Sequence, residues 1–376
     1  MKGMKHTNME NMFKRFLSMA LAVLMVLSMM PTTAFAAETD ETDPDANVEI
    51  IDNNGEGDGE PEAQADDEVT PITGTITEDT VWEAGAVIGG VTISGNVTIT
   101  VKGTVTVAGT IRLNPDAISK VVFNGENDAK LIRGNGFTGQ MFYAEGVSGN
   151  FQKLTFNNII LDGGAVWSGD VDKILNRGKT NEGVKATGSV LYLVYASAVL
   201  NSSTLQNHHD STGEKANAVF LRYYSTIDFN NSVVRNNRSE STYYRGGVVT
   251  VRQGGTATTN NSEVYGYSSP NGGFFGISST GSFGGVAEAY NSKFYNNYAD
   301  NGAVFLMQCN SKIGYLKIDG CEFYNNASTT AVLTEWAYSR PFIISNSYFH
   351  DNECAVWNCH ADPVRSEEHT SELQSR

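Results

Sequence analysis

This chain has no basic stripe, no second apolar run long enough to cross a bilayer, and no long helical pattern beyond residue 71. Each absence removes a class of function. Without clustered lysine or arginine there is nothing to release counterions from phosphates, so nucleic-acid binding is disfavoured. Without a second long apolar segment the mature chain is expected to insert no span into a membrane. Cysteine is also scarce. Cys309, Cys321, Cys354 and Cys359 are the four in the chain, and an even count is weak evidence for bridges. Buried free thiols are the expectation.

The one long apolar run lies at the start. Lys14 and Arg15 precede Phe16 to Met30, and Ala34-Phe35-Ala36 follows as a small-x-small site. Residues 1–36 therefore read as a secretory signal peptide. Residues 37–70 hold 14 Asp or Glu and no Lys or Arg, with few residues able to bury surface. They read as an acidic disordered linker. The stretch Asp52 to Gly57 faintly resembles a calcium loop, but Ala63 stands where a bidentate glutamate is required. Loose calcium binding by the acidic run is all that stays open, and no metal or cofactor is expected. At the other end, residues 365–376 begin RSEEHTSELQS and read as an in-frame sequencing-adapter scar. The natural chain is expected to continue past Val364, and any cell-wall anchor would lie in that missing part. The net charge of -16 falls mostly on the linker, so the body is nearly neutral.

The body is built from repeats. Asn291-Ser-Lys-Phe-Tyr-Asn-Asn297, Gly320-Cys-Glu-Phe-Tyr-Asn-Asn326 and Asn346-Ser-Tyr-Phe-His-Asp-Asn352 match one another, and Asn231 to Asn237 and Asn261 to Tyr267 follow the same plan. The middle apolar residue defines a column: Leu205, Val234, Val264, Phe294, Phe323, Phe349. A second column follows two positions on: Asn207, Asn236, Gly266, Asn296, Asn325, Asp351. Openings such as Gly246-Gly-Val-Val, Gly272-Gly-Phe-Phe and Gly302-Ala-Val-Phe begin a short apolar strand, with Gly163-Gly-Ala-Val166 as an upstream copy. Tyr315 to Ile318 and Pro341 to Ile344 supply a third. Three short strands in about 30 residues close one coil, and stacked coils pair as parallel strands about 4.8 Å apart. Corner asparagines can adopt the left-handed conformation and hydrogen-bond along the stack. The expected fold is all-β, a right-handed parallel β-helix over residues 71–364. Residues 71–115 form its first, tightly wound coils, with Trp82 in a cap. The single GxGxxG, Gly134 to Gly139, has no helix after it and reads as a loop.

The Phe-x-x-Asn motifs at Phe294, Phe323 and Phe349, alternating with the Gly-Gly-Ala-Val-like openings, resemble the repeats of polymorphic-membrane-protein-type β-helices. More broadly, the chain resembles β-helix repeat proteins exported by gut-type Gram-positive bacteria. The resemblance covers residues 155–360 well and 71–154 loosely. It implies a secreted, cell-surface-displayed protein such as an adhesin, with fold markers and no chemistry in the motifs. Polysaccharide or surface glycans of a host or neighbouring cell would be its partners.

The same superfold hosts polysaccharide lyases and glycoside hydrolases, so catalysis has to be argued from a site. Asp162, Asp170, Asp172, Asp228 and Glu335 are scattered and share no column. The best polar constellation is His208-His209-Asp210 with Tyr223-Tyr224 and Tyr243-Tyr244-Arg245, which Trp336, Tyr338 and Arg340 could extend. Loop histidines and exposed aromatic ladders on a rod account for it without a ligand; as a site it reads as a carbohydrate-binding face, aromatic rings packing on sugar rings. A non-catalytic glycan-contacting surface protein is the leading expectation, and a polysaccharide lyase or hydrolase is the alternative.

Overall fold

A computed structural model describes residues 69–168, 179–210, 217–240, 247–279, 284–309, 314–335 and 342–359. Among these every element is a strand, and the strands pair in parallel from coil to coil in a 28-stranded sheet and a separate 3-stranded one. The fold is a parallel β-helix. One coil runs Val219–Arg222 on face A, Thr226–Asn230 on face B and Val233–Arg235 on face C. Each pairs in register with the strand about 30 residues later: Val219 with Val249, Thr226 with Thr256, Val233 with Glu263. The first coils are tighter, since Ile72 already meets Ile88 and Val91 meets Ile111. Trp82 belongs to the interior of these coils. It is buried, its ring centroid 5.8 Å from that of Phe123.

The column of apolar residues on face C is realised as a ladder. Leu205 pairs with Val234, Val234 with Val264, Val264 with Phe294, Phe294 with Phe323 and Phe323 with Phe349. The three phenylalanines stack nearly parallel, at 4.9 and 4.4 Å between centroids. Burying a side chain of this size is worth about 1.5–3 kcal/mol, so one residue per coil sustains a continuous core. Asn207, Asn236, Asn296, Asn325 and Asp351 follow at φ between 51° and 55°, with Gly266 at 67°. These are residue types for which the left-handed corner is least costly.

The rung-to-rung amide ladder belongs to the next residue along, the Asn of Phe-x-x-Asn. Asn297 Nδ2 donates to Asn326 Oδ1 at 3.1 Å, and Asn326 Nδ2 donates to Asn352 Oδ1 at 3.0 Å. Each Oδ1 also accepts a backbone N–H from the preceding rung. Corner geometry and corner hydrogen bonding therefore sit on adjacent residues. A second amide ladder runs Asn230, Asn201, Asn157, Asn124 on the outside of face B, at 2.8–3.1 Å.

Serines form a third ladder between faces B and C. Backbone N–H groups of Ser203, Ser232 and Ser262 donate to the hydroxyls of Ser232, Ser262 and Ser292. Cys321 takes the next place. Its Sγ accepts from Ser292 N at 3.5 Å, and its own N–H donates to Ser347 Oγ at 3.1 Å. Burial pushes this thiol up to about 11, so it stays protonated and acts as a poor serine. Cys321 and Cys354 are free; the side chains of Cys309 and Cys359 lie outside the described residues. Cys321→Ser is expected to leave stability unchanged or raised, and Cys321→Val to cost about 1–3 kcal/mol by orphaning Ser292 N–H. Urea titration of the two variants checks this.

One strand assignment changes. Gly163 to Val166 opens no strand on face A. It leads outward to Trp167, which bridges Asn181 in antiparallel fashion, and that coil enters face A at Leu191 instead. The excursion is inserted between face C and face A, so the glycine pair repeats in sequence without repeating in register. Trp357 follows Phe305 and Leu333 in the core column, yet on the last described rung it remains 47 % exposed.

Candidate binding surface

His208 and His209 lie at the corner between faces C and A, whereas Tyr223 and Tyr224 lie at the corner between faces A and B. The fold does not bring them together. Tyr243, Tyr244, Arg245, Trp336, Tyr338 and Arg340 lie outside the described residues. Asp162, Asp228 and Glu335 fall on faces C, B and A respectively, in three different strands, and Asp170 and Asp172 lie outside the described residues.

The histidine corner is a clamp. His208, His209 and Asp210 are all buried. Asp210 Oδ1 accepts the backbone N–H of Glu240 at 2.7 Å, which spends that oxygen on the fold. His209 is gripped from both ring nitrogens. Asn181 Oδ1 accepts the N–H groups of Val166 and Gly183, at 2.9 and 2.8 Å, which forces Asn181 Nδ2 to be the donor to His209 Nδ1 at 2.9 Å. The imidazole proton is thereby placed on Nε2, donated to Glu240 Oε1 at 2.9 Å. Burial would raise the Glu240 carboxyl, but hydrogen bonds from Lys185 and His209 hold it below its ordinary value. The Trp167 ring lies 5.1 Å from His209, and its Nε1 donates to Asn236 O.

This arrangement sets a pH dependence. Burial chiefly, with Arg238 and Lys185 adding to it against Glu240, lowers His209 below its ordinary value of 6.5. A group depressed on folding contributes stability that is complete above its unfolded value and is lost as pH falls through the folded one. Docking of residues 165–168 and 179–186 on this corner is therefore expected to weaken on acidification below about 6.5. The hydrogen exchange of Gly183 and Val184, corrected for intrinsic rates, reports it. Protection that stays flat to pH 4, or that falls equally in His209→Gln, contradicts the assignment.

The tyrosine corner is different in kind. Tyr195, Tyr223, Tyr224 and Gln253 have φ of 47°, 49°, 60° and 48°. The left-handed region costs a bulky L-residue about 1–2 kcal/mol, and the other corners of this rod fill it with Asn, Ser, Asp or Gly. Aromatic side chains are held here at a local cost, a pattern characteristic of functional surfaces. Tyr195 and Tyr223 stack at 5.3 Å, and Phe151 meets Tyr195 edge-on at 6.0 Å. The Arg222 guanidinium lies 4.5 Å from the Tyr223 centroid, donates from Nη2 to Tyr223 OH and from Nε to Gln253 Oε1. Tyr224 is 49 % exposed and packs against Gly254, where a Cβ would come within 2.7 Å of the ring. Gly254 has φ of 83°, so conformation and contact both require glycine.

Beside this corner a second aromatic column lies on face A away from the main core, in a small cluster of its own in which Tyr192 and Phe220 are buried. Tyr143, Tyr192 and Phe220 stack at 5.1 and 5.2 Å, with Arg112 4.2 Å above the Tyr143 ring. Tyr143 OH donates to Glu145 at 2.6 Å, and burial with that bond pushes the phenol up to about 12. Tyr143, Tyr192 and Tyr195 escape sequence reading because an insertion sets Tyr192 49 positions after its rung partner Tyr143.

A third stack, Tyr265, Tyr295, Tyr324 and His350 on face C, has centroids 4.8–5.2 Å apart. It lies on regular strand positions, with none of its residues in the left-handed backbone that marks the tyrosine corner.

Comparison of the chain with protein-family models, characterised proteins and solved structures found no match.

Proposed function

We propose that the protein is an exported, non-catalytic binding rod that holds a polysaccharide at the tyrosine corner. The observation that carries the reading is the run of tyrosines in left-handed backbone, Tyr195, Tyr223 and Tyr224, where the other corners use small polar residues. An exposed ring backed by glycine, a stacked pair beside it, and Arg222 and Gln253 at the edge supply an apolar platform with polar groups at its rim. The sequence reading of residues 1–36 as a signal peptide supports a rod displayed outside the cell, with surface glycans of a host or neighbouring cell as its partners. The resemblance to surface adhesins points the same way.

A lyase or hydrolase is the second reading, and the histidine corner is what favours it: Glu240, Arg238, His209 and Lys185 gather there from successive coils. Their contacts are largely to one another and to the fold, which favours a clamp. One experiment separates the readings. The full chain is incubated with an immobilised glycan panel, and both retention and released reducing ends are measured. Retention without release is expected. Release abolished by Glu240→Gln would replace this proposal with the enzyme.

A further inference from the structure

We infer that the polysaccharide held at the tyrosine corner is a straight, β-linked chain of the cellulose or chitin type that lies along the rod axis; this rests on the binding reading above and specifies its ligand. The corner between faces A and B recurs on successive rungs, because Gln152 pairs with Ala196, Ser197 with Thr226 and Thr226 with Thr256. Phe151, Tyr195, Tyr223 with Tyr224, and Gly254 therefore stand in line over about 14 Å, at one rung spacing each. Phe151 meets Tyr195 at 6.0 Å and Tyr195 meets Tyr223 at 5.3 Å between ring centroids. Tyr224 reaches on to the next rung, its ring lying against Gly254. One aromatic track thus spans four rungs. Where it begins, a tight hairpin in which Val147 bridges Asn150 holds Val147 57 % exposed. Backbone bonds from Gly146 N to Val194 O and from Gln152 N to Tyr195 O seat that hairpin on the tyrosine rung.

A second track runs beside the first. Strand residues alternate between core and outside, and the first outward position of face B after the corner is filled by Ser197, Thr226 and Thr256 on successive rungs. All three are partly exposed. Hydroxyls at rung spacing therefore flank the rings along the tyrosine segment. A ligand that follows both tracks must present an apolar face and a row of polar groups at every step, and must stay straight. A sugar chain joined through equatorial bonds does so: it is extended, its ring faces are C–H and its edges carry hydroxyls. A chain joined through an axial bond coils away from a straight track. A site for one terminal sugar would need a single ring with polar groups around it, and neither track would have to continue from rung to rung.

The test titrates cellobiose, cellotetraose and cellohexaose, the corresponding chitin oligomers, and maltohexaose against the full chain by isothermal calorimetry. In at least one of the two straight series, affinity is expected to rise at least about tenfold from the disaccharide to the tetrasaccharide. Maltohexaose is expected to bind at least about tenfold more weakly than the straight hexasaccharide of that series. Phe151→Ala should weaken the hexasaccharide about tenfold, and Thr226→Val with Thr256→Val about fivefold. Thermal unfolding of each variant serves as the folding control, and the threonine pair keeps the test open if Phe151→Ala fails to fold. Affinity independent of chain length, maltohexaose bound as tightly as the straight chains, folded variants that bind like the parent, or no binding in either straight series overturns the inference. The underlying reading fails separately: the oligosaccharides would still bind, but Tyr223→Ala and Tyr224→Ala would leave their affinity untouched.

Discussion

Phe323→Ala is expected to destabilise the C-terminal coils by about 3–5 kcal/mol. Phe323 is fully buried between Phe294 and Phe349, with centroids 4.9 and 4.4 Å away, and Phe305 lies 6.3 Å across the core. Three aromatic neighbours lose contact at once, and the strand pairing that holds them at rung spacing prevents collapse into the gap. A stacked-repeat rod unfolds in segments, so a single midpoint is a poor readout. Hydrogen exchange resolved along residues 291–352 is the better one. Protection should fall on both sides of the substituted rung while residues 97–157 keep theirs. A loss below about 1 kcal/mol, or one spread evenly along the chain, would mean that the phenylalanine ladder does not set local stability.

The second large effect distinguishes two adjacent asparagines. Asn326 is fully buried; Nδ2 donates to Phe294 O at 2.9 Å and to Asn352 Oδ1 at 3.0 Å, while Oδ1 accepts from Asn297. Asn326→Leu leaves at least a buried carbonyl and a buried N–H without partners, at about 1–3 kcal/mol each. Its neighbour Asn325 has φ of 52° and needs only a residue that tolerates the left-handed region. Asn325→Gly should be near neutral and Asn325→Val costly, by about 1–2 kcal/mol. Asn326→Gly should be as damaging as the leucine variant. Denaturant titration of the four variants checks the pattern. Equal tolerance of glycine at both positions would contradict the division between corner geometry and corner hydrogen bonding.

That division also shows what could be read without coordinates. The Phe294, Phe323, Phe349 column was readable because one large apolar residue recurs inside near-identical flanks, and a one-residue slip would expose it. The corner position of Asn296 and Asn325 was readable from residue type. Which asparagine bonds to the next rung was not, because Asn325 and Asn326 are the same residue and only the left-handed turn at the first aims the second inward. Gly163 to Val166 misled because the motif repeats while the register does not. At the binding surface, Tyr223 and Tyr224 announced themselves as a vicinal pair. Their partners Tyr195, Tyr143 and Tyr192 were hidden by the 163–190 excursion, which breaks the 29–30-residue period. His208 and His209 looked like surface ligands because nothing local shows that Trp167 and Asn181 fold back over His209.

The central claim is that the tyrosine corner is the binding surface of this rod. Affinity for whichever glycan the panel retains, measured for Tyr223→Ala, Tyr224→Ala and Tyr295→Ala in the full chain, tests it most directly. The account predicts a loss of at least about tenfold for each of the first two and none for Tyr295→Ala, which lies on face C and away from that corner. Unchanged binding in Tyr223→Ala and Tyr224→Ala, with loss in Tyr295→Ala, would contradict it and move the site to face C.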